Sequence, residues 1–359
     1  MASKGLYSPA VKWRMGEYQA MFRLPELAKA RIHPLIILPS IEYDFETGEP
    51  ETSVHDHATK FVKRLTGKWK QRPAWIDADV SLHGAKIGKK SFTNFLYEGL
   101  IANRGNVIPV VSPDYDVPVI GDLADAASNV GRGICVRLRL ENLMTAQSNL
   151  KLQKLVNVIG AAVGDVDLLI DLGSPNYEPY KEFAMALVSA LSKITDLDKF
   201  RSFTMLGTAF PESMAGQIPN GAIVRHDWLF YKAFVKSLPH GFPKPAFGDY
   251  TTVNPAFKAD FDYRKIKPAG KIVYTTPDKW LVEKGGAFRD NPAQMHTHCK
   301  AIVDSGKFRG AAYSGGDEYI ARCAKHEPGA GPSTLTRWKE VGISHHIMHA
   351  LEDVSTFHG

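Results

Sequence analysis

Gly133-Ile134-Cys135-Val136-Arg137-Leu138-Arg139-Leu140-Glu141 is an apolar stretch in which charged residues take alternate positions near its end. In a β-strand successive side chains alternate between two faces, so Arg137, Arg139 and Glu141 would share one face. A charge at the end of a buried strand is costly unless it is paired, hydrated or functional. The stretch therefore predicts both a strand and a candidate site.

Seven further apolar segments have the length and composition of buried strands. Most are separated by segments in which apolar residues recur at helical spacing. Together with 133–140, the predicted strands are 34–39, 73–79, 107–111, 166–171, 201–206, 246–250 and 271–276. Eight strands that alternate with helices in a chain of 359 residues predict an α/β fold, a (β/α)8 TIM-like barrel.

An open, doubly wound sheet is the alternative architecture for the same alternation. It would call for a glycine-rich phosphate loop after the first strand, and Pro39-Ser40-Ile41-Glu42 is not such a loop. Residues 311–359 exceed what the barrel needs and contain two predicted helices. We therefore expect a barrel over residues 1–310 and a C-terminal helical extension over 311–359 that packs on it.

The composition is that of an ordinary folded protein, with 44% hydrophobic residues, 23% charged residues and a formal net charge of +6. Cys135, Cys299 and Cys323 show no CxxC or zinc-ligand spacing, which indicates reduced thiols. The sequence has no apolar signal-peptide core near Met1 and no apolar run of membrane-spanning length. We expect a cytoplasmic protein that does not bind membranes.

One segment, 60–72, concentrates basic residues: Lys60, Lys63, Arg64, Lys68, Lys70 and Arg72. Ala58, Phe61, Val62, Leu65 and Trp69 recur beside them at helical spacing, after a predicted cap at Asp56. We interpret the charges as the solvated face of an amphipathic helix. Binding of a nucleic acid is the less favoured alternative, since no known binding module accompanies the cluster.

Charged and polar side chains mark the carboxyl ends of the predicted strands, where barrels of this class place their active sites. The candidate catalytic residues are Glu42, Asp77, Asp79, Asp171 and Asp249. The candidate substrate-binding residues are Arg137, Arg139, Arg225, Tyr250, Tyr274 and His345. Because alternate strands fill the same layer of a barrel, Asp77 or Asp79 is expected level with Arg137 or Arg139.

Such a polar cup would let arginines hold a phosphate or carboxylate while a carboxylate acts as a general base. The same carboxylates are hard oxygen ligands of the kind that Mg²⁺ or Mn²⁺ prefers, although no dedicated metal spacing is present, so the metal is unknown. Either His345 or His346 would be a proton-transfer group near neutral pH. The structural alternative is an internal ion-pair network that only fixes the barrel.

The sequence lacks a GxSxG nucleophile elbow and a GxxxxGK[ST] phosphate loop. Tyr313-Ser314-Gly315-Gly316-Asp317-Glu318 is a small-residue turn that leads into a predicted helix. Its backbone N–H groups would bind an anion, or Asp317 would simply cap the helix. These patterns define no reaction.

Several stretches taken together resemble the beta protein family of phage and bacterial genomes. They are Leu6-Tyr7-Ser8-Pro9, Gly16-Glu17, Pro39–Glu42, Ile76-Asp77, Phe247–Tyr250, Tyr313–Ile320, Gly329–Pro332, Arg337-Trp338 and Gly342–His346. The resemblance covers nearly the whole chain and implies a phage- or prophage-related setting. It supplies no established catalytic residues.

Two functions from different classes follow. The first is a barrel hydrolase acting on a phosphate-bearing small molecule or nucleotide, with an anionic small molecule as its partner. The second is a non-catalytic protein-binding factor in phage–host conflict, which would explain why no complete catalytic motif is present. A charged, concave barrel mouth favours the first, and a sizeable exposed apolar patch favours the second.

Overall fold

The computed structural model describes residues 7–44, 46–215, 221–256 and 267–358 of the chain, and the structural statements below concern these residues. The first residues of the chain, in which the sequence predicts no signal-peptide core, lie outside the described ranges. No helix within these ranges is long and apolar enough to cross a membrane.

A closed barrel of eight parallel strands forms the centre of the fold. The strands in chain order are β1 (Ser8–Val11), β2 (Leu35–Leu38), β3 (Ala74–Ala78), β4 (Lys86–Ile87), β5 (Lys90–Ser91), β6 (Val107–Val111), β7 (Ile134–Arg139), β8 (Val166–Asp171), β9 (Ser202–Gly207), β10 (Gly221–Val224), β11 (Ala246–Asp249), β12 (Ala269–Thr275) and β13 (Lys279–Ala287). Around the barrel the order is β1-β11-β9-β8-β7-β6-β3-β2. The predicted TIM-like barrel is confirmed.

Helices alternate with the barrel strands and continue after them. In chain order they are α1 (Met15–Arg23), α2 (Glu26–Lys29), α3 (Val54–Lys68), α4 (Phe92–Ala102), α5 (Val117–Val130), α6 (Leu140–Leu143), α7 (Ser148–Ile159), α8 (Tyr180–Leu191), α9 (His226–Ser237), α10 (Gln294–Asp304), α11 (Gly315–Ala324) and α12 (Leu335–His358). Short 3₁₀ helices occur at Val80–Leu82, Val163–Asp165 and Leu197–Lys199. This alternation supplies the crossovers that parallel pairing requires.

The eighth barrel strand is β1 and not the predicted strand at 271–276, which is a correction of the sequence-based assignment. β1 pairs in parallel with β2 on one side and with β11 on the other, which closes the barrel. Gly248 of β11 permits this closure, because a Cβ there would lie 2.7 Å from the carbonyl oxygen of Ser8. The residues predicted as strand eight form β12, which lies in an antiparallel sheet of order β10-β13-β12.

Side chains on the two faces of the barrel strands enter two separate hydrophobic clusters. The inner cluster fills the barrel and consists of Ala10, Leu35, Ile37, Trp75, Ile108, Val110, Cys135, Leu169, Leu206 and Tyr250. The outer faces of the same strands pack against the surrounding helices in a larger cluster. The barrel is therefore a packed core, and its carboxyl end is left for polar side chains.

Helix α12 packs against α1, α11 and β12, and its His346 contacts Asp249 of β11. Its Ile343 and Ile347 are fully buried in the cluster that also contains Tyr7 and Phe247. A further cluster joins β12, α10, α11 and the beginning of α12. The boundary at residue 310 stays a prediction, since residues on both sides of it contribute to this cluster.

Two helix caps differ from the sequence-based expectation. Ser53, not Asp56, caps α3 by accepting a hydrogen bond from the backbone of Asp56. Ser314, not Asp317, caps α11, because its Oγ accepts from the N–H groups of Gly316 and Asp317. Helix α3 buries Ala58, Phe61, Val62 and Leu65 and leaves Lys60, Lys63 and Arg64 exposed, as expected for an amphipathic helix.

Candidate active site

Arg137, Asp77 and Asp171 meet inside the carboxyl end of the barrel. The Nη1 atom of Arg137 donates to Asp77 Oδ2 at 2.7 Å, while Nη2 and Nε donate to Asp171 Oδ2 at 2.6 and 2.9 Å. The three side chains are at most 10% exposed. The expected alignment of an aspartate of one strand with an arginine of an alternate strand is thus present in the structure.

Two tyrosines and a backbone N–H donate further hydrogen bonds to the two aspartates. Tyr115 donates to Asp77 Oδ1 at 2.7 Å, and Tyr250 donates to Asp171 Oδ2 at 2.7 Å. The N–H of Gly173, whose φ of +65° suits glycine, donates to Asp171 Oδ1 at 2.9 Å. This arrangement fixes the orientation of both carboxylates.

The electrostatics of the network favour a permanent charge on Arg137. Burial acts against that charge, but Tyr250, Asp171 and Asp77 outweigh it and raise the pKa of Arg137 well above its ordinary value. Burial also raises the pKa of Tyr250 above its usual range, against the influence of Arg137. At neutral pH Tyr250 is therefore a hydrogen-bond donor, which matches its contact with Asp171.

Above this network lies an open pocket of about 360 Å³ at the barrel mouth. The charged side chains that line it are Lys12, Asp77, Asp79, Arg137, Arg139, Glu141 and Asp171. Arg139 and Glu141 are exposed, whereas Lys12 and Asp79 are half-buried. The mouth of the barrel is therefore polar and accessible, with three cationic and four acidic side chains.

Asp79 follows β3 and is held in place by the first turn of the 3₁₀ helix at Val80–Leu82. Its Oδ1 accepts from the backbone N–H of Ser81 at 3.1 Å and from Ser81 Oγ at 2.7 Å. Asp77 and Asp171, by contrast, are committed to Arg137. Asp79 is therefore the predicted catalytic residue whose carboxylate lies both in the pocket and outside the Arg137 network.

Sequence reasoning missed two pocket residues, Lys12 and Tyr115. Lys12 directly follows β1, and its Nζ donates to the carbonyl oxygen of Pro255 at 2.7 Å. Burial lowers the pKa of Lys12. Its signal was a basic residue at a strand end, but β1 itself was not predicted. Tyr115 lies in the loop after β6, and no sequence signal pointed to it.

Glu42 and Asp249 are not part of the pocket. Glu42 is exposed and forms an ion pair with Arg14. Asp249 is fully buried behind the strand, where Tyr7 donates to Oδ1 and His346 Nε2 lies 2.8 Å from Oδ2. The predicted site residues that the barrel mouth does bring together are Asp77, Asp79, Arg137, Arg139, Asp171 and Tyr250.

Arg225, Tyr274 and His345 lie outside the barrel mouth. The Nη1 atom of Arg225 donates to Asp353 Oδ2 at 2.7 Å and to the carbonyl oxygen of Thr276 at 2.8 Å. Tyr274 belongs to β12 and stacks on His345 with a centroid separation of 3.8 Å.

Asp317 of α11 joins Tyr274 and His345. Tyr274 donates to Asp317 Oδ1 at 2.7 Å, and His345 Nδ1 lies 2.9 Å from Asp317 Oδ2. The other ring nitrogen of His345 lies 2.8 Å from the carbonyl oxygen of Thr275. These contacts connect α11 and α12 to the small antiparallel sheet, away from the pocket.

Within the described ranges, no group of three or more histidine, cysteine, aspartate or glutamate side chains is arranged to hold a metal ion. In the barrel mouth the reason is geometric. The guanidinium of Arg137 occupies the position between Asp77 and Asp171 that a bridging cation would take. Binding of Mg²⁺ or Mn²⁺ finds no support in this geometry.

The sequence model of the family described as Beta protein matches residues 7–352. The chain belongs to the Beta protein family. The match covers both the barrel and α11 with most of α12, so the C-terminal helices are part of the family's shared sequence. The predicted family resemblance is confirmed over nearly the whole chain.

A solved structure of triosephosphate isomerase from Bartonella henselae is similar to this Beta protein family member at 10% sequence identity. The alignment covers 70% of this chain and 94% of the isomerase, with a TM-score of 0.36. The closed sheet of eight parallel strands itself establishes the barrel. No curated protein matches the chain.

Proposed function

We propose that the protein is a barrel hydrolase that acts on a phosphate-bearing small molecule. The observation that carries this proposal is the open, charged pocket above the Asp77–Arg137–Asp171 network. A barrel mouth filled by apolar side chains would have argued against catalysis. A pocket of about 360 Å³ is within the range of small-molecule sites and suits a ligand the size of a nucleotide or sugar phosphate.

The phosphate group would bind to Arg139, and Lys12 lies on the opposite wall of the pocket, because β1 and β7 are four strands apart around the barrel. Arg137 uses Nε, Nη1 and Nη2 for hydrogen bonds to Asp171, Asp77 and Tyr250. It would therefore contribute to phosphate binding mainly through its positive charge and less through hydrogen bonds. Arg139 is exposed at the end of β7 and presents a guanidinium suited to bidentate contact with phosphate.

The charge balance of the pocket narrows the substrate class. Three cationic side chains face four acidic ones, so the pocket has no overall positive charge. A polyphosphate would experience repulsion from Asp79 and Glu141. A monophosphate ester with a neutral, hydroxyl-rich remainder fits better, because its hydroxyl groups can donate to the carboxylates.

Asp79 would act as the general base. Its carboxylate would accept a proton from a water molecule whose oxygen attacks phosphorus. As the phosphorus–oxygen bond to the leaving group breaks, the leaving oxygen would take up a proton from solvent to become the alcohol, and Asp79 would return its own proton to solvent. Arg139 and Lys12 would stabilise the charge on the phosphoryl oxygens. Asp77 and Asp171 would be positioning residues that hold Arg137 beneath the reacting group.

The alternative of a protein-binding factor is less well supported. The most exposed large apolar side chains, Leu27, Val117, Val158 and Met185, lie on four different helices. Scattered apolar residues of this kind are ordinary on a protein surface. The phage or prophage setting and the cytoplasmic location stay predictions, and neither changes the chemistry proposed for the pocket.

The proposal is tested by measuring phosphate release from nucleoside 5′-monophosphates, sugar phosphates and a phosphodiester, each with Mg²⁺, with Mn²⁺ and with EDTA. Wild-type protein should hydrolyse at least one monophosphate ester. Asp79→Asn should lower kcat by about 10²-fold or more, while Arg139→Gln should mainly raise KM. Folded wild-type protein that releases no phosphate from any compound would overturn the hydrolase proposal.

A further inference from the structure

A pair of cysteines outside the barrel has a specific arrangement that the proposed function does not use. Cys299 of α10 and Cys323 of α11 are both fully buried where these helices pack. The thiols of Cys299 and Cys323 face each other across the contact between α10 and α11, and each influences the pKa of the other. The two sulfur atoms are thus already neighbours, although the residues are far apart in sequence.

His296 gives this pair a polar neighbour. It lies one turn before Cys299 on α10, and its Nδ1 is 3.5 Å from Cys323 Sγ and 2.7 Å from the carbonyl oxygen of Cys323. The ring of His296 stacks on that of His326, with centroids 3.9 Å apart. His326 is exposed, so the cluster extends from the buried thiols to the surface.

Cys323 is the more reactive of the two thiols. Its interaction with Cys299, together with His296, lowers the pKa of Cys323 although burial opposes the shift. The pKa of Cys299 is raised, because of its interaction with Cys323 and because it is buried. Helix α11 ends at Ala324, so Cys323 lies in its last turn, and helix ends are the parts of a fold that open locally most readily.

Cys135 provides an internal comparison. It lies in the barrel interior among apolar side chains, and burial raises the pKa of its thiol well above the ordinary value. A buried thiol of this kind is inert. Differences in reactivity between Cys135 and the Cys299–Cys323 pair therefore report on local chemistry within the same molecule.

We propose that Cys299 and Cys323 are an oxidisable dithiol that forms a reversible disulfide with hydroperoxides. The thiolate of Cys323 attacks the peroxide O–O bond, becomes sulfenic acid and releases water from hydrogen peroxide. The sulfur of Cys299 then attacks the sulfenic sulfur, which forms the S–S bond and releases a second water. The dithiol loses two electrons to the peroxide, and the product ties α10 to α11.

His296 is a positioning residue in this reaction. Its imidazole stabilises the Cys323 thiolate through the contact at 3.5 Å, and it does not bond to the oxidant. His296→Gln should slow oxidation by about tenfold, since hydrogen bonds to charged groups are worth about one pKa unit or more. The same substitution should leave the final extent of oxidation unchanged.

The test uses the full chain, treated anaerobically with hydrogen peroxide, quenched with N-ethylmaleimide in denaturant and weighed by mass spectrometry. Reduced protein should carry three alkyl groups, since all three cysteines are free. Oxidised protein should carry one, on Cys135, and a disulfide-linked peptide should contain Cys299 and Cys323. Dithiothreitol should restore the three reactive thiols.

Two variants assign the order of events. Cys299→Ser should accumulate a sulfenic acid at Cys323 that dimedone traps, and Cys323→Ser should show no oxidation at Cys299. The wild-type peptide analysis decides the question even if a variant folds poorly. The proposal would be overturned by oxidation of Cys135 before the pair, by three intact thiols after prolonged treatment, or by a co-purified zinc ion that protects both thiols.

Discussion

Replacing Arg137 by leucine tests whether the network under the pocket depends on this cation. The substitution leaves Asp77 and Asp171 buried without a counter-charge, at exposures of 2% and 5%. Breaking a buried ion pair by removing one partner costs about 3–5 kcal/mol. We expect Arg137→Leu to lower the free energy of unfolding by about this amount, measured by urea denaturation at neutral pH.

Arg139 supplies a matched control, because it lies two residues further along β7 on the same face but is exposed. Arg139→Leu should change the free energy of unfolding by no more than about 0.5 kcal/mol. The combined variant Asp77→Asn, Arg137→Leu and Asp171→Asn removes the charges together. It should recover most of the loss, since neutral replacement of a buried ion network is often tolerated.

The reasoning would be refuted if Arg137→Leu and Arg139→Leu destabilised the protein equally. It would also fail if the triple variant were less stable than Arg137→Leu alone. Either result would mean that the aspartates are not held as buried anions by Arg137. There would then be no support for the view that Arg137 supplies a positive charge beneath the proposed phosphate site.

Two further predictions concern the barrel and its surroundings. Burial, together with Asp249, raises the pKa of Asp227 from 3.8 to about 7. Ionisation of Asp227 therefore destabilises the fold as pH rises from 4 to 7. Between pH 5 and 8, the free energy of unfolding measured in urea should fall by about 3 kcal/mol more in the wild type than in Asp227→Asn. Gly248→Ala should cost about 1–3 kcal/mol in the same assay because of the approach to Ser8, whereas Gly121→Ala, with open space around its Cβ, should not destabilise. The first prediction would be contradicted if the stability of wild type and of Asp227→Asn changed equally with pH. The second would be contradicted if Gly248→Ala and Gly121→Ala were equally stable.

The alternation of side chains along strands explains why part of the site could be predicted. β3, β7 and β8 are long, apolar and bounded by turns, so their periodicity is unambiguous. Asp77, Arg137 and Asp171 lie on the inner faces of these strands near their carboxyl ends. A barrel of parallel strands brings such positions together independently of the loop conformations.

β1 escaped prediction because Ser8-Pro9-Ala10-Val11 is short and contains a proline, which weakens a strand assignment. The residues of β12 were assigned to the barrel because an apolar run does not reveal whether its partner is parallel or antiparallel. Lys12 was missed along with β1. Missing β1 therefore had two consequences: the eighth barrel strand was assigned to the residues of β12, and the pocket residue Lys12 was overlooked.

The positions of Asp249 and Glu42 show a second limit. Being at a strand end does not determine the face, and Asp249 points toward α12 while its neighbour Tyr250 enters the barrel. Glu42 lies four residues beyond β2, far enough for the chain to leave the mouth. Asp249 contacts Tyr7, which lies 242 residues earlier, and His346 of α12, which lies 97 residues later, so these contacts have no local sequence signal.

Calorimetric titration of the pocket tests the central claim most directly. The probes are adenosine 5′-monophosphate and adenosine, with ribose 5-phosphate and ribose as a second pair, each added to wild type and to Arg139→Gln. We predict that at least one phosphate compound binds wild type about tenfold or more tightly than its phosphate-free partner, and that Arg139→Gln removes this difference. Equal affinities within both pairs, no binding by either phosphate compound, or an unchanged preference in Arg139→Gln would contradict the account.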